Sequence, residues 1–574
     1  MFILGILGLF QAWFLPGLSM LSFSKNFKII DIIILSIPLS ITLNCLIIFT
    51  LVFFNLYDQE NLLIIFFIEL IFLIYNCFKN ENLKKAIRSF EGFLRLKKKI
   101  NIDFDIFDIP IVFFLLLISF FGFKTIGEVI NVGDALVSYN PWSLTWFESE
   151  PSDYGLYPLG LSILMSLIYK MINNTSVEFF TRALVIIYPI WIFLFFYRVI
   201  SFLPKYKIFI KFSLIISSYI FIFIFRNYAM FIGYAEPILF LTSVCTVFIM
   251  IKIFILEKNF ESYEYLIFGL IVISNPIIKQ TGFFISSVFP LLFFIFFIKK
   301  LSLKKLFSKL SIILIPFVIP YSWIALKLIK IYLLETSDTN LNFIISLNEG
   351  YSLIEKLNYT FGFLSIPFVI LVLFSLINKK SLLIFITITL PYFVLYVIYI
   401  GYDNRHFVSI IPFISINITI GIYEIYKRIN FSKINIPKFS FSILSILFVT
   451  LILLTINNLR NEERLISSSE KKKMLRGDRE INALLYNFVK EDNFNIISIP
   501  DVLFSSFLPK IGDRVITNRD CKEPLSSDKI FYLLIKESYC NKYYKGWKKN
   551  LLNNDFKVLF HLNDHYLLLK EINN

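Results

Sequence analysis

Cysteine, histidine and charge are all scarce in this chain. Its 574 residues include five Cys and three His, and no CxxC or Cys/His cluster occurs among them. This excludes a disulfide-rich scaffold and a zinc module, so no metal-ligating residues are predicted. Charged residues make up 17% of the chain, whereas a soluble domain carries roughly 25%. The deficit argues against an ordinary soluble protein.

Long apolar stretches are abundant instead. Hydrophobic residues make up 57% of the chain, which contains 68 Phe and has a mean hydropathy of +0.73. Apolar stretches of ~20 residues, each able to cross a hydrocarbon core of ~30 Å, recur along most of the sequence. We predict spans at roughly 3–22, 30–56, 61–78, 107–126, 178–199, 208–225, 236–256, 263–278, 283–299, 308–329, 358–377, 381–400, 407–426 and 440–457.

The predicted fold class is therefore an all-α polytopic membrane protein of about 14 transmembrane helices, with a small extracytoplasmic α/β domain at its C-terminus. The N-terminus has neither a basic leader region nor a small-residue cleavage site, which favours a retained first span. Residues 1–78 form the first transmembrane helices of this scheme, and residues 79–106 form a basic cytoplasmic loop. The main transmembrane core is predicted at 107–457.

The formal net charge of +15 comes from basic residues in short loops between the predicted spans. This is the positive-inside pattern of membrane proteins, and it argues against a nucleic-acid partner. The loop 127–177 is then extracytoplasmic, and no Lys or Arg occurs from residue 125 to residue 169. Its apolar segment 156–172 is short and contains Pro158, so we predict a helix lying at the outer membrane interface.

The C-terminal region 458–574 mixes polar and apolar residues. A helix is predicted over 470–491 from its apolar spacing. Runs typical of β-strands follow at 495–499, 514–517, 529–535, 556–562 and 566–572. Cys521 and Cys540 both lie in this predicted α/β domain on the oxidising side. They could form a disulfide or stay free, and the sequence leaves both readings open.

The outer loop carries the first cluster of residues suited to chemistry. Asp134 directly follows a predicted span, where a carboxylate could act as general base toward a hydroxyl group. Tyr139 and Trp142 could stack on sugar rings. The alternative is a loop of solvated acids with aromatic side chains that anchor it at the interface.

Two tight outer turns carry cations. Lys279 could neutralise a phosphate or extend its ammonium to the lipid headgroups. Arg405 offers a bidentate fork for phosphate and is followed by His406, although an ion pair with Asp403 is the plainer reading. Glu236, on the same predicted face, could orient a cation or cap the next helix.

These segments resemble the GT-C superfamily of integral membrane glycosyltransferases, near the protein mannosyltransferase and aminoarabinose transferase branch (glycosyltransferase family 39-like). GDALVSYNPW resembles the acidic turn of the first outer loop, and LYPLGLSILMSLIYKMI its interfacial helix. Arg182 lies near the start of the next span, as in the family. GYAEPILFL, SNPIIKQTGFF and GYDNRHFVSIIPF resemble the later turns. The resemblance covers residues 107–457.

The resemblance implies sugar transfer from a polyprenyl-phosphate-linked donor to an extracytoplasmic acceptor, which would be a cell-surface glycan, lipid or protein. Asp134 would be the catalytic base. Lys279, Arg405 and His406 would bind the donor phosphate, and Glu236 would support the acceptor or a cation. Only one acid stands where many relatives have an adjacent pair, which leaves a divalent cation as cofactor an open question.

Other functions remain open at this point. A secondary transporter or a flippase for lipids or lipid-linked glycans is the main alternative, and a polysaccharide polymerase or ligase is the second. A non-catalytic scaffold is a third. The absence of an organelle signal favours a bacterial plasma membrane with the C-terminal domain in the periplasm. An endoplasmic-reticulum location would make the sequon at Asn173 relevant.

Overall fold

The computed structural model describes the chain in segments. They are residues 1–24, 26–27, 29–79, 138–150, 158–175, 177–184, 235–255, 260–333, 354–355, 365–400, 404–428, 496–499, 515–517, 531–537, 540–541, 548–549, 556–562 and 565–570, with isolated positions between them. The chain divides into two compact units. The first combines residues 1–128 and 153–459, and the second combines 129–152 and 460–574.

The described part of the first unit is helical. Its helices before residue 300 are α1 (Phe2–Trp13), α2 (Leu15–Leu21), α3 (Ile29–Phe53), α4 (Gln59–Lys79), α6 (Gly160–Ile172), α7 (Glu236–Met250), α8 (Ser262–Ile278) and α9 (Gly282–Phe297). They are followed by α10 (Leu303–Leu314), α11 (Val318–Leu333), α12 (Ser365–Ser375), α13 (Lys379–Ile384), α14 (Leu390–Leu395) and α15 (Ile411–Arg428). Helix α5 (Asn140–Phe147) belongs to the second unit.

Several of these helices are long and apolar enough to cross a membrane, as in a multi-pass membrane protein. Among the described residues there are five such helices: Asp31–Phe53, Gln59–Lys79, Glu236–Phe254, Leu303–Leu326 and Ser381–Ile398. A bent pair, α1 with α2, makes a sixth if it counts as one span. The predicted total of fourteen stays a prediction, because several predicted spans lie outside the described residues.

The first predicted span is not one continuous helix. Helices α1 and α2 are bent by 45° at Phe14, where the backbone leaves the helical region. Pro16 lies in the first turn of α2, a position that Pro tolerates. The N–H of Gly17 donates to Ser40 Oγ over 2.9 Å, and a Cβ at Gly17 would clash with the Ser36 backbone. Close contact with α3 therefore fixes the break.

Helices α7 and α8 form the centre of the first unit. All fifteen residues of α7 are buried, consistent with a sequence that is mostly apolar around the whole helix. Helix α8 packs against α3, α7, α9 and α10. It begins with a capping box, in which Glu261 and Glu264 each accept a backbone N–H of the first turn. The residues at the far end of α8 are consequently held in a defined position.

Helix α6 corresponds to the segment predicted as an interfacial helix. With thirteen residues it is about 20 Å long, too short to cross a membrane. Twelve of those residues are buried, so the helix packs among α1, α3 and α4 and has no broad open face. Its Ser166 hydroxyl is 2.9 Å from the Tyr57 hydroxyl. Burial raises the pKa of the Tyr57 phenol, which stays protonated.

The second unit contains a five-stranded sheet. Its strands are β1 (Ile496–Ile499), β2 (Val515–Thr517), β3 (Phe531–Lys536), β4 (Phe556–Leu562) and β5 (His565–Lys570), in the order β2-β1-β3-β5-β4. Strand β1 runs parallel to β2 and β3, and β5 runs antiparallel to β3 and β4. Each predicted strand run coincides with one of these strands. The helix predicted at 470–491 lies outside the described residues, so the α/β domain as a whole stays a prediction.

The cysteines differ between the two units. Cys45, Cys77 and Cys245 are free thiols. Cys540 is buried and disulfide-bonded. This agrees with the disulfide reading of that residue, while its predicted partner Cys521 lies outside the described residues.

Candidate functional site

A buried ion pair lies where α7 begins and α8 ends. The Lys279 ammonium donates to Glu236 Oε1 in a short contact. Glu236 is 1% exposed and the whole Lys279 residue is 7% exposed. The sequence had assigned these two residues separate roles, one to a phosphate and one to the acceptor or a cation. The structure brings them into direct contact across 43 positions of sequence.

Local sequence explains why both charges sit at helix ends. Glu236 is the first residue of α7 and is followed by Pro237, so its carboxylate lies at the positive end of the helix dipole. Lys279 directly follows α8 and has an extended backbone. Pro276 lies in the last turn of α8, where it cannot donate a helical hydrogen bond. The chain therefore leaves the helix at Lys279.

A buried amide near the end of α8 joins this helix to α7. Asn275 Oδ1 accepts hydrogen bonds from the hydroxyls of Thr242 and Ser243, each over 3.0 Å. Its Nδ2 donates to Thr246 Oγ1 and to the Val272 carbonyl, each over 2.9 Å. A buried amide with all these partners is stable in an apolar interior. The network therefore joins the two helices that carry Glu236 and Lys279.

Two glycines let neighbouring helices reach this junction. A Cβ at Gly282, the first residue of α9, would overlap the backbone of Asn275. A Cβ at Gly160, the first residue of α6, would lie 2.6 Å from the Ile277 carbonyl oxygen. Both positions need the side-chain-free residue because backbone meets backbone there. The start of α6 and the start of α9 therefore both contact the end of α8.

The late Arg–His segment reaches the same region. Residues Asn404–Ile410 form a 3₁₀ helix that packs against α7. The Tyr392 hydroxyl donates to the backbone carbonyl of His406 in a short hydrogen bond and accepts from Ser409 Oγ over 2.8 Å. The ring of Tyr392 meets Phe284 of α9 edge-on, with centroids 5.3 Å apart. The turn after α8 and the 404–410 segment are thus linked through Tyr392.

The predicted site residues fall into three groups. Glu236 and Lys279 are in contact, and Arg405 and His406 lie in the 3₁₀ helix that packs on α7; the His406 side chain is half-buried. Asp134 lies outside the described residues, so its role stays a prediction. Within those described residues, no group of three or more His, Cys, Asp or Glu side chains could hold a metal ion. Metal dependence thus remains open.

The aromatic residues predicted to stack on sugars are buried within the second unit. Tyr139 is 7% exposed and Trp142 is 8% exposed. Their rings pack edge-on with centroids 5.7 Å apart, beside the fully buried Trp146 of the same helix α5. Stacking on a sugar requires an exposed face of the aromatic ring. Their burial favours a packing role for both residues over direct sugar stacking.

An apolar cavity of about 290 Å³ adjoins the ion-pair junction. It lies between α3, α6, α8, α9 and α11, and nearly all of its lining is apolar. Pro276 and Ile277 of α8 and Phe283 of α9 line it, on either side of the turn that carries Lys279. Leu326, at another side of the cavity, is 65% exposed. The cavity is therefore shaped for a hydrocarbon group and lies within a few residues of a cation.

Two other polar sites of the first unit were not predicted from the sequence, one a buried ion pair and the other a half-buried acid. Asp31 and Lys252 form an ion pair of 3.0 Å, each 1% exposed, with the ammonium 4.2 Å from the centre of the Phe27 ring. Glu69 accepts a hydrogen bond from Gln11 inside a predicted span. An acid in the middle of an apolar stretch is a visible sequence signal. The partners are not visible, because they lie far away in sequence.

The ion-pair junction is suited to bind an anion rather than to transfer protons. An ammonium has three N–H donors, so an approaching phosphate could share the Lys279 cation with Glu236. The pair is neutral overall, which limits the electrostatic cost of keeping it buried before an anion arrives.

No family model, curated protein or solved structure matches this chain. The resemblance to the GT-C superfamily accordingly stays a prediction.

Proposed function

We propose that this protein is a membrane glycosyltransferase that moves a sugar from a polyprenyl-phosphate-linked donor to an extracytoplasmic acceptor. The observation that carries the proposal is the convergence of three segments selected from the sequence, two as phosphate-binding and one, with Glu236, as support for the acceptor or a cation. Glu236 and Lys279 are in contact at the N-terminal end of α7, and the 404–410 segment packs against the same helix. They are separated by up to 174 positions in sequence (410 − 236). If these outer turns had no common role, nothing would require them to meet at the same helix.

The neighbouring cavity supports the same substrate class. A polyprenyl phosphate has a long apolar chain joined to an anionic head. The cavity has a volume of about 290 Å³ and apolar walls, and the helix ends on either side of Lys279 form part of those walls. A ligand with its chain in the cavity would bring its phosphate toward the ammonium. A water-soluble sugar nucleotide has no group that suits these walls.

The reaction we propose is a displacement at the anomeric carbon. The acceptor hydroxyl loses its proton to Asp134 and its oxygen bonds to the sugar, while the bond from sugar to phosphate breaks with inversion. Polyprenyl phosphate leaves with the negative charge. Lys279, with Arg405 and His406, would stabilise that charge as it develops. Glu236 would hold Lys279 in place between turnovers. The proposed location is a bacterial plasma membrane, with the C-terminal region in the periplasm.

The test is the release of polyprenyl phosphate by purified protein supplied with polyprenyl-phosphate sugars. Lys279→Gln should lower the release rate by about 10²-fold or more, because one cationic donor to the leaving group is lost. Asp134→Asn should lower it by a similar factor through loss of the base. Donor binding should survive in Asp134→Asn and weaken in Lys279→Gln.

The matched control is Lys252→Gln. It also removes the cation of a buried ion pair, but one formed with Asp31 in another part of the first unit. Release per folded molecule should stay at the wild-type level in this variant. An equal loss of activity in Lys252→Gln and Lys279→Gln would assign both effects to folding and would contradict a phosphate role for Lys279.

A second candidate function is secondary transport or lipid flipping. The observation that favours it is the broken helix α1–α2 beside the acid Glu69, since transporters place polar groups at helix breaks within the membrane. Movement of substrate across liposomes without release of polyprenyl phosphate would favour this reading. Release that depends on Lys279 would favour the enzyme.

A further inference from the structure

A carboxylic acid lies in the middle of helix α4. Glu69 has ten residues of the helix on either side, Gln59–Lys79 being 21 residues long. At 1.5 Å per residue, it is about 15 Å from each end of the helix. If α4 crosses the bilayer, as its length and composition allow, this carboxyl group lies near the membrane centre. An ionisable residue at that depth calls for a functional explanation.

Two buried amides connect the acid to its neighbours. Gln11 Nε2 donates to Glu69 Oε2 over 2.8 Å and to Asn44 Oδ1 over 3.2 Å. Asn44 Nδ2 donates to the backbone oxygen of Gln11 over 2.9 Å. Gln11 is 2% exposed and Asn44 is fully buried. Helices α1, α3 and α4 thus meet at one polar cluster, in the part of the chain for which the sequence predicted no role.

The cluster has more acceptors than donors. Gln11 Oε1 is buried and accepts no hydrogen bond within the described residues. The Glu69 carboxylate adds two acceptor oxygens, of which one receives the amide N–H. A carboxylic acid and a primary amide can form two antiparallel hydrogen bonds, one N–H to oxygen and one O–H to oxygen. The first is present, and a proton on Glu69 would supply the second.

The buried cations of the described helices pair with carboxylates other than Glu69. In the described helices, Lys252 pairs with Asp31 and Lys279 pairs with Glu236. Helices α1 and α2 contain no titratable side chain, and Lys170 of α6 lies over the Tyr57 ring at 5.1 Å. Cys45 of α3 is a buried free cysteine. The remaining titratable groups of α4 are at least six residues from Glu69 along the helix: Glu60, Tyr75, Cys77 and Lys79.

We infer that Glu69, with Gln11 and Asn44, forms an intramembrane proton-binding site. An ionised carboxylate without a counter-ion is unfavourable in a hydrocarbon environment, and a proton both removes the charge and completes the hydrogen bonding of Gln11. The inference concerns residues 1–79 and is independent of the proposed sugar transfer.

The site is joined to the helix break. Gln11 lies in the last turn of α1, and Ser19 Oγ of α2 donates to the backbone oxygen of Glu69 over 2.9 Å. Both halves of the broken helix are therefore attached to α4 at the same residue. Removing the proton places a charge between them, so proton binding stabilises the packing of α1 and α2 on α4.

The first experiment uses wild-type protein in liposomes and a membrane-soluble carbodiimide, which reacts with protonated carboxyl groups, followed by peptide mapping. Glu69 should be labelled at about pH 6 and progressively less toward about pH 9, with no effect of Na⁺ at fixed pH. Exposed carboxylates are ionised through this range, so Glu60 at the start of the same helix is the internal reference and should stay unlabelled. Absence of labelling at every pH would overturn the inference. Protection by Na⁺ would also overturn it, by showing a metal cation at the site.

The second experiment measures thermal unfolding of wild type and Glu69→Gln over the same pH range. The folded wild type holds a proton that the unfolded chain loses, so its stability should fall as pH rises. Glu69→Gln is neutral at every pH, and its unfolding temperature should change less across the range. Identical pH dependence in the two proteins would contradict proton binding at Glu69.

Discussion

At the scale of single residues, the polar side chains of the first unit are buried in pairs and small networks. Asn275 illustrates the reason, because its amide satisfies two hydroxyls of α7 and binds two acceptors. A buried polar group costs free energy unless it is hydrogen-bonded. Replacement of one member therefore affects the others as well as itself.

We predict that Asn275→Leu destabilises the protein by about 1–3 kcal/mol for each group left without a partner. Donor binding should also weaken, because the amide no longer joins the two helices that carry Glu236 and Lys279. Thermal unfolding and a binding assay with polyprenyl phosphate are the measurements.

Asn417→Leu is the control for that prediction. Asn417 is equally buried and accepts from Thr389 Oγ1 over 3.0 Å while donating to Ser381 Oγ over 2.7 Å, away from the ion pair. Its replacement should lower stability similarly and leave donor affinity unchanged. Weaker binding in both variants would mean that affinity follows stability alone.

The ion pair itself gives a second prediction. Lys279→Met leaves the Glu236 carboxylate buried without its cation and should cost about 3–5 kcal/mol of stability. The double variant Glu236→Leu/Lys279→Met removes both charges and should recover much of this loss. Denaturant unfolding in detergent provides the double-mutant cycle. Additive losses in the double variant would show that the two side chains do not interact.

The sequence marked Lys279 and Glu236 as candidates but did not predict that they contact each other. They were selected because polar groups near a membrane face are energetically costly and tend to be functional. Their direct contact depends on the packing of α7 against α8, which local periodicity does not encode. Glu69 was missed although its signal was local, because a single acid does not interrupt an otherwise apolar span.

At the scale of elements, the composition of the sequence predicted where some helices and strands begin and end. It did not predict where a helix bends. The predicted span 263–278 agrees with α8 to within one residue, and the run 556–562 coincides with β4. The bend at Phe14 was not predicted, because Pro16 is compatible with a helix start and a continuous apolar run hides the change of direction. Likewise, Lys304 and Lys305 were predicted in a loop but lie in α10, whose amphipathic pattern accommodates them.

Close helix contacts predict a difference between two glycines. Gly282→Ala should destabilise the protein by about 1–3 kcal/mol, because its Cβ meets the Asn275 backbone, which cannot move aside as a side chain could. Gly8→Ala is the matched control within α1. Its Cβ would lie 3.4 Å from Met171 Cβ, an ordinary contact distance, so no comparable loss is expected. Thermal unfolding compares the two variants, and equal losses would contradict the close approach at Gly282.

At the scale of the whole molecule, orientation in the membrane is what links the ion-pair junction to an extracytoplasmic reaction. It rests on the distribution of basic residues, a statistical property of many loops. The described helices are compatible with several membrane crossings. Which helix ends lie on which side of the membrane stays a prediction. A chemical label that cannot cross the membrane tests that prediction directly.

We predict opposite accessibility for two exposed turn positions. Leu56, 48% exposed between α3 and α4, is predicted outside, and Lys300, exposed after α9, is predicted inside. In a Cys77→Ser background, which removes the half-exposed native thiol, Leu56→Cys should react with an impermeant maleimide in intact cells. Lys300→Cys should react only after permeabilisation. The short turn at Lys279 is predicted on the same side as Leu56. Reaction of Lys300→Cys in intact cells, with Leu56→Cys protected, would therefore place the ion pair on the cytoplasmic face and exclude an extracytoplasmic acceptor.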